Sequence, residues 1–333
     1  MKKENLKILV IRFSSIGDIV LTTPVIRCLK QQLKGAEIHY LTKKNFENVL
    51  GANPYIDKLH FLNEKLSETI SSLKAENFDV IIDLHHNLRT LIIKTRLGIK
   101  SSSFDKLNWQ KWLLVNLKIR KLPEVHIVDR YLETVAFLGV KNDEAGLDYF
   151  LNKEYDLSSL IPASHQKFIG IAIGAQHATK RLPQDQLLKL CRNLHYPVIL
   201  LGGPEDALRA DEICQQSGSH VFNGCGKFSL DQSAFLVRMA NQIITHDTGL
   251  MHIAAAFNKP LISVWGNTVP EFGMYPYKVT ESLIVEVKDL HCRPCSKIGY
   301  NKCPLGHFKC MNDIDIPIIL ENSKGSGQPV SIM

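Results

Sequence analysis

The sequence has no long hydrophobic run. No apolar stretch in the 333 residues approaches the roughly 18 residues that a membrane-spanning helix needs. The first residues, Met-Lys-Lys-Glu-Asn, lack the apolar core and cleavage site of a secretory signal peptide. These absences argue against an integral membrane protein and a secreted one, and we expect a cytoplasmic protein. The 45% hydrophobic content is enough for two globular domains.

Two common nucleotide-binding fingerprints are also missing. No GxGxxG follows the first predicted strand, and no GxxxxGK[ST] occurs anywhere, which argues against a dehydrogenase and a P-loop enzyme. The charge balance is basic, with 40 Lys and Arg against 33 Asp and Glu and a net charge of +7. Such a balance suits an anionic substrate, an anionic membrane face or nucleic acid. Because no nucleic-acid-binding motif is present, we expect no nucleic-acid partner.

Short apolar runs alternate with amphipathic segments of helical length, which predicts a parallel sheet covered by helices. The first series has predicted strands at 6–13, 37–41, 58–62 and 79–84. A polar stretch at 141–166 reads as a linker, and the rhythm resumes with strands at 168–173, 198–201, 242–245 and 261–265. We therefore expect an α/β protein with domains at 1–160 and 161–322, a ligand cleft between them, and a flexible tail at 323–333.

A basic and aromatic stretch covers residues 89–121. Lys and Arg side chains recur along it, and Phe104, Trp109 and Trp112 lie among them. Such a composition is typical of a membrane-surface face or a nucleic-acid face. It also fits a solvated helix face with tryptophans packed in the core.

The stretch RFSSIGDIVLTTP, residues 12–24, places a single carboxylate, Asp18, where the first strand gives way to a helix. Aspartate is a preferred helix N-cap residue, which is the structural interpretation. The functional interpretation is a catalytic or ligand-holding acid, because open α/β sheets carry their sites at the carboxyl ends of the strands.

Three strand-to-helix corners in the second half have the features of a phosphate site. In THDTGLMHIAAA, Thr248 and Gly249 open a helix whose exposed amides suit an anion. In GAQHATKRLP, Lys180 and Arg181 supply positive charge, and in LLGGPEDALRA, Glu205 stands where an acid can hold ribose hydroxyls. Together these corners predict a nucleotide-diphosphate site.

Four of the eight cysteines form a cluster, Cys292-x2-Cys295-x7-Cys303-x6-Cys310. Four such thiols in a reducing compartment suggest a structural metal site, for which zinc is the natural ion. The irregular spacing leaves reduced loop thiols or a disulfide open as alternatives. In either case we expect a structural role for this segment.

The chain resembles the bacterial lipopolysaccharide heptosyltransferases of glycosyltransferase family 9. The resemblance rests on motifs spread over nearly the whole chain: SSIGDIVLTTP, FDVIIDLHHNLRT, GAQHATKRLP, LLGGPED, THDTGLMHIAAA and CRPCSKIGYNKCPLGHFKCM. It implies a GT-B-like fold of two Rossmann-like domains. It also implies inverting transfer of heptose from ADP-heptose to the lipopolysaccharide inner core, with no cofactor and no metal required for catalysis.

The resemblance also implies roles for individual residues. Asp18 would be the general base, and Asn87 and Arg89 are candidates for binding the acceptor. The donor would be held by residues of the second half: Thr179, Lys180, Glu205, Asp247, Thr248, Gly249 and His252. Leu182 departs from the tryptophan that many members carry there. A lipid-linked acceptor would place the protein at the inner face of the inner membrane.

Two other functions remain open at this stage. One is a different GT-B enzyme, either a transferase using another nucleotide sugar or a sugar-nucleotide epimerase. The other is a non-catalytic nucleotide-sugar-binding protein, against which the intact SIGD motif around Asp18 argues.

Overall fold

The computed structural model of the chain describes residues 5–324. Most of the predicted flexible tail, from residue 325 onward, lies outside the described residues. Its first two residues are held in place: the buried Ser323 donates a hydrogen bond from Oγ to the Ile319 carbonyl, and the Lys324 amide donates to Gln242 Oε1 at 2.7 Å.

The strands and helices are numbered along the chain. The strands are β1 Lys7–Ile11, β2 Glu37–Thr42, β3 Lys58–Phe61, β4 Val80–Asp83, β5 Lys100–Ser103, β6 Ile169–Ala172, β7 Val198–Leu201, β8 Val221–Asn223, β9 Gln242–His246, β10 Leu261–Trp265 and β11 Ser282–Glu286. The α-helices are α1 Ile16–Val20, α2 Thr23–Gln32, α3 Glu47–Leu50, α4 Leu66–Lys74, α5 Leu88–Leu97, α6 Asn108–Trp112, α7 Ile127–Glu133, α8 Gln184–Asn193, α9 Ala207–Ser217, α10 Leu230–Met239, α11 Gly249–Ala256, α12 Lys309–Asn312 and α13 Ile316–Glu321.

The chain forms two compact units. The first contains the chain up to Leu107 together with Val125–Asn152, and the second contains Asn108–Glu124 and the chain from Lys153 onward. The sequence-based ranges placed 108–124 in the first domain, whereas these residues pack with the second unit. The chain passes between the units at residues 107–108, 124–125 and 152–153, and the last of these passages lies inside the predicted linker.

The first unit contains a parallel sheet of five strands in the order β3-β2-β1-β4-β5. Its central strand β1 pairs with β2 and β4, so that Ile11 lies between Leu41 and Asp83. The carboxyl ends of β1 and β4 are therefore neighbours. β1 is followed by α1, which carries Asp18, and β4 is followed by the loop that carries Asn87.

The second unit contains a parallel sheet of six strands in the order β11-β10-β9-β6-β7-β8. Strands β9, β6 and β7 are adjacent. Their carboxyl ends lead into the three corners that the sequence singled out, so these corners lie side by side at one edge of the sheet.

The apolar composition of the central strands explains this architecture. Residues 8–11 of β1, and all of β6, β7 and β10, are buried, as expected for parallel strands covered on both faces by helices. The predicted α/β fold with two parallel, Rossmann-like sheets is confirmed. Within residues 5–324, we find no helix that is both long enough and apolar enough to cross a membrane.

Candidate functional site

Asp18 lies in the first turn of α1, three residues after the N-cap residue Ser15. The Ser15 amide and hydroxyl both donate hydrogen bonds to Asp18 Oδ2, at 3.2 and 2.7 Å. Ser15 is therefore the cap, and Asp18 is the acid that closes the capping box. The simple interpretation of Asp18 as the N-cap itself is wrong.

Arg12, at the end of β1, binds the other oxygen of this carboxylate. Its Nη2 lies 2.7 Å from Asp18 Oδ1. The guanidinium is fixed by further acceptors, donating to the carbonyls of Ser14 and Leu84 and to the Tyr131 hydroxyl. Arg12 is buried, while 21% of the Asp18 side chain is exposed. A charged carboxylate is thus held in a fixed orientation with access to solvent.

His85 follows β4 and is a site residue that the sequence did not reveal. Burial, followed by the positive charges of Arg12 and Lys106, lowers the pKa of His85 to about 4. Its ring packs against Phe13 with ring centroids 4.7 Å apart, and Arg12 and Asp18 are among the charges that act on it. The motif DLHHN gave a weak signal, since it puts two histidines at a strand end.

Asn87 and Arg89 lie at the start of α5. Asn87 Oδ1 accepts a hydrogen bond from the Thr90 amide at 3.0 Å, and the Asn87 amide donates to Thr90 Oγ1 at 2.9 Å. Asn87 is therefore an N-cap residue whose side-chain oxygen is already engaged. Its side-chain nitrogen, Nδ2, can donate to another acceptor. The Arg89 side chain is exposed.

Lys180 and Asp247 join two of the corners in the second unit. Lys180 Nζ lies 2.6 Å from Asp247 Oδ2, and both side chains are largely buried. Thr268, which follows β10, donates a hydrogen bond to the same oxygen at 2.9 Å. Lys180 follows β6 and Asp247 follows β9. The ion pair therefore brings together two residues predicted to bind the donor, and Thr268 adds a third that the sequence did not show.

Thr179, next to Lys180, is buried and bound to a distant segment. Its amide donates to the Tyr300 carbonyl at 3.1 Å, and its hydroxyl accepts from the Tyr300 amide at 2.8 Å. Gly266 leaves room for the backbone of the loop that contains Thr179, because a Cβ at position 266 would lie 2.7 Å from the Thr179 carbonyl oxygen. The contact with Tyr300 holds the loop before Lys180 in position.

The corner after β7 contains Glu205 and Asp206. Asp206 is buried, with Oδ1 3.4 Å from Arg181 Nη1, so the corners after β6 and β7 are also joined. Gly174 and Gly202 are required here, because a Cβ on either would come within 2.8 Å of Asp206 Oδ2. Glu205 is exposed and available to a ligand at this edge.

The helix α11 begins directly after this group of residues. Thr248 is its N-cap, and no hydrogen bond from the cap side chain occupies the first amides. An anion at this end would meet the amides of the first turn, which have no partner within the helix. His252 lies one turn further along and is buried.

Two further residues here have structural roles. His246 is fully buried and accepts a hydrogen bond from the Leu182 amide at 3.0 Å. Burial, followed by the charge of Arg209, lowers the pKa of His246 to about 3, so the ring is neutral. Leu182 belongs to the hydrophobic core, which accounts for an aliphatic residue at the position where tryptophan was expected.

The predicted site residues form two groups in the structure, one in each unit. Asp18, Asn87 and Arg89 follow the neighbouring strands β1 and β4. The donor-site residues follow β6, β7 and β9: Thr179, Lys180, Glu205, Asp247, Thr248, Gly249 and His252. The four clustered cysteines lie elsewhere, between β11 and the end of α12.

Comparisons with known proteins identify the family. The model of glycosyltransferase family 9 (heptosyltransferase) matches residues 67–304. Lipopolysaccharide heptosyltransferase 1 of Campylobacter coli is 27% identical, over 79% of this chain and 84% of that protein. The crystal structure of a family 9 glycosyl transferase from Veillonella parvula superimposes with a TM-score of 0.78 at 22% identity, covering 97% of both chains. The E. coli heptosyltransferase WaaC with ADP gives a TM-score of 0.68 at 20% identity, covering 96% of this chain and 100% of that one. This chain is a glycosyltransferase and belongs to family 9, the heptosyltransferases.

Proposed function

We propose that this enzyme transfers heptose from ADP-heptose to a hydroxyl group of the lipopolysaccharide inner core, with inversion at the anomeric carbon. The acceptor oxygen forms a bond to the anomeric carbon as the bond from that carbon to the phosphate oxygen breaks. The acceptor proton passes to Asp18, and ADP leaves with the electron pair. The observation that carries the proposal is the cluster of Lys180, Asp247 and the start of α11 at adjacent strand ends.

The geometry around Asp18 supports its role as general base. A base must be ionised, oriented and accessible to the proton it removes. Arg12 pairs with one oxygen at 2.7 Å, Ser15 donates to the other, and part of the side chain reaches solvent.

The residues of the second unit support ADP as the leaving group. Lys180 carries a positive charge at the corner after β6, and the amides at the start of α11 point out of the adjacent corner. Both stabilise a departing diphosphate without a metal ion. Glu205 is placed to accept hydrogen bonds from ribose hydroxyls. The ADP bound in the E. coli structure and the heptosyltransferase family name support the choice of donor.

An acceptor rich in acidic groups suits the start of α5. Arg89 is exposed there, and the Asn87 cap leaves an amide nitrogen for hydrogen bonding. We infer that these two side chains hold carboxylate or phosphate groups of the acceptor. The apolar side chains of Leu88 and Leu91, 72% and 53% exposed on the same helix, support an acceptor carrying a lipid.

We infer that the enzyme works at a membrane surface. The rings of Trp109 and Trp112 are stacked with centroids 5.3 Å apart and are 64% and 42% exposed, so they are not core anchors. Indole rings favour the interface between lipid and water. The exposed Lys121 nearby favours the anionic lipids of an inner membrane face.

The substitution Asp18→Asn tests the catalytic proposal. An amide keeps an oxygen for the Ser15 hydrogen bonds but cannot accept a proton, so kcat should fall by about 10²–10⁴-fold. The affinity for ADP, measured by calorimetry, should stay unchanged, since the donor residues belong to the second unit. Transfer is followed as ADP release from ADP-heptose with heptose-free lipopolysaccharide.

Asp57→Asn is the matched control, because Asp57 belongs to the same unit and also pairs with a cation, Lys30, at 2.7 Å. It should retain normal turnover. Normal turnover of Asp18→Asn would limit Asp18 to its capping-box role. Tighter binding of UDP or GDP than of ADP would instead favour another nucleotide-sugar enzyme, and ADP-heptose binding without turnover in the unmodified protein would indicate a binding protein.

A further inference from the structure

We propose that His39, His60 and Glu76 of the first unit form a binding site for a divalent transition metal, with Zn²⁺ as the expected ion. Two imidazole nitrogens and one carboxylate oxygen are a ligand set for zinc, with water in the fourth position of the tetrahedron. The site does not depend on the proposed transfer reaction and uses none of its residues. We assign it the role of cross-linking the edge of the five-stranded sheet.

The three side chains come from different elements and meet in one place. His39 lies on β2, His60 on β3, and Glu76 just after α4. One ligand atom from each lies within 4.8 Å of the other two, and no other group of metal-ligating side chains among residues 5–324 does so. The histidine nitrogens, Nδ1 of His39 and Nε2 of His60, are 2.8 Å apart, and each lies 3.9 Å from a Glu76 oxygen. Zinc–nitrogen bonds of about 2.0–2.1 Å place tetrahedral ligands roughly 3.4 Å apart, so small side-chain rotations suffice.

Packing holds the two rings in this arrangement. The imidazoles of His39 and His60 are stacked with centroids 5.0 Å apart, and both contact the edge of the Phe78 ring, at 5.1 and 6.0 Å. The His39 side chain is fully buried, whereas those of His60 and Glu76 are 10% and 16% exposed. An ion therefore has access from the side of His60 and Glu76 to a pair of nitrogens that is already in place.

Glu37 orients His39 as a metal ligand is oriented. The hydrogen bond with His39 lowers the pKa of Glu37, and this carboxylate accepts from His39 Nε2 at 2.6 Å. The neutral ring therefore carries its proton on Nε2 and presents the lone pair of Nδ1 to His60 and Glu76. A carboxylate on the far nitrogen of a ligating histidine fixes the tautomer and makes the other nitrogen a stronger ligand.

Protons compete little with a metal for these ligands at neutral pH. Burial, as the largest cause, lowers the pKa of His60 to about 4, so the ring is neutral. Hydrogen bonds from Lys58 and Lys7 lower the pKa of Glu76 to about 2, so the acid is ionised. Both are the forms that bind metals. The ion takes the place of the hydrogen bond between the two rings, and His60 then carries its proton on Nδ1.

Two lysines compete with the ion for the carboxylate. Lys7 Nζ lies 2.7 Å from Glu76 Oε2 and 3.3 Å from Glu37 Oε1, and Lys58 pairs with Glu76 Oε1. The two lysines and the two acids balance to zero charge. Lys58 is 55% exposed, and an exposed pair of this kind contributes little stability, so its ammonium group can move into solvent and free one Glu76 oxygen. The lysines therefore limit the affinity of the site, and removing one should raise it.

The location of the site favours a structural role. Glu37 and Lys58 are the first residues of β2 and β3, whereas Asp18 and Asn87 follow the carboxyl ends of β1 and β4. β3 is a four-residue edge strand with no fully buried side chain, so apolar burial contributes little to its stability. A metal bound to His60 would tie this strand to β2 and to the end of α4.

Zinc titration by calorimetry of the wild type and of His60→Gln tests the proposal. The wild type should bind one more zinc ion per chain than His60→Gln, because glutamine offers no imidazole lone pair. Any zinc held by the cysteines is the same in both proteins, so the difference reports this site alone. Saturating zinc should also raise the Tm of the wild type more than that of the variant.

Three further variants separate a metal site from a simple ion-pair network. Glu76→Gln should weaken zinc binding at this site by at least about tenfold, since it removes the anionic ligand. Lys58→Gln should strengthen it by about tenfold, because one competing positive charge is removed. His195→Gln changes an exposed histidine of the second unit and should bind zinc like the wild type.

Circular dichroism checks that each variant is folded. If His60→Gln fails to fold, nitrogen NMR of the histidine rings in the wild type decides, since zinc should shift His39 Nδ1 and His60 Nε2 and leave His195 unchanged. Equal numbers of zinc sites in the wild type and in folded His60→Gln would overturn the proposal. Weaker zinc binding by Lys58→Gln would also overturn it, as would signals of His39 and His60 that zinc does not move.

Discussion

At the scale of single residues, the contacts of Lys180 exclude its interpretation as a solvated loop side chain and leave two possible roles. A Lys-Arg pair on a loop is usually solvated, and nothing in GAQHATKRLP excludes that. The structure places Lys180 Nζ 2.6 Å from Asp247 Oδ2, with 17% of the lysine side chain exposed. A cation held by one acid is poised to exchange part of that contact for a phosphate, but it is equally suited to neutralising Asp247.

Substitution of Lys180 separates these two roles. A charge-assisted hydrogen bond contributes about 1.5–3 kcal/mol, so Lys180→Ala should weaken ADP binding by about 10- to 150-fold in calorimetry. Lys189→Ala, an exposed lysine of α8, is the control and should bind ADP normally.

The double variant Lys180→Ala/Asp247→Ala completes the cycle. If Lys180 binds phosphate directly, the double variant stays weak. Recovery of wild-type affinity in the double variant would mean that Lys180 only neutralises Asp247. Unchanged affinity in the single variant would mean that Lys180 does not contribute to ADP binding.

At the scale of elements, the sequence predicts the strands that are buried on both faces and the edge strand β3, and it misses the other three edge strands. β5, β8 and β11 are edge strands, and β5 reads Lys-Ser-Ser-Ser. An edge strand covered on fewer sides needs no apolar run, so the sequence of β5 carries no signal, although β11 does contain the apolar run Leu-Ile-Val. Helix ends are also hard to place from the sequence: apolar residues recur at helical spacing over 127–138, yet α7 ends at Glu133 and a short 3-10 turn, Ala136–Leu138, follows it.

The sequence likewise predicts only part of the candidate site. Asp18, Lys180 and Asp247 stand out because a parallel sheet places functional side chains at strand ends. Arg12, Thr268 and Tyr300 do not, since their role depends on partners that only the fold brings near. The contact between Thr179 and Tyr300, for example, spans 121 positions of sequence, and no local pattern encodes it.

The predicted linker begins with an anchored segment. Arg27 of α2 donates two hydrogen bonds to Asp143, at 2.7 and 2.9 Å, and one to the Gly146 carbonyl. It also pairs with Asp148. Only 5% of the Arg27 side chain is exposed. Residues 143–148 are therefore fixed to the first unit by a buried ion-pair network, although their composition resembles a loop.

Removing the arginine should destabilise the first unit in a pH-dependent way. Arg27→Met leaves two carboxylates without a partner, and we expect the free energy of unfolding at pH 7 to fall by about 3–5 kcal/mol. Hydrogen bonds from Arg27 lower the pKa of Asp143 to about 2, below the ordinary value of about 3.9. The stabilisation is therefore present above that ordinary value and lost as the pH falls toward 2.

Urea unfolding at pH 7 and near pH 3 measures the difference between wild type and variant. The difference should be smaller at the lower pH. Lys30→Met breaks the more exposed pair with Asp57 and should cost no more than about 1 kcal/mol. An equal loss for Arg27→Met at both pH values would contradict an electrostatic origin.

At the scale of the whole molecule, the charge of +7 and the exposed Trp109 and Trp112 would make two different contributions to the membrane binding proposed above. Long-range attraction to anionic lipid depends on net charge and is screened by salt, whereas insertion of indole rings depends on apolar contact. The two contributions can be separated by experiment, because each responds to a different variable.

Co-sedimentation with vesicles measures both contributions. We expect binding to vesicles containing phosphatidylglycerol and little binding to pure phosphatidylcholine. Raising the salt from about 0.1 M to about 1 M shortens the screening length from roughly 10 Å to 3 Å and should release most of the protein. Trp109→Ala/Trp112→Ala should bind anionic vesicles more weakly at every salt concentration. Leu208→Ala, which removes an apolar side chain that is 81% exposed on α9, should bind like the wild type. Equal binding of the tryptophan variant and the wild type would remove the indoles from the interface, and equal binding to both lipids would show that charge does not direct the enzyme to the membrane.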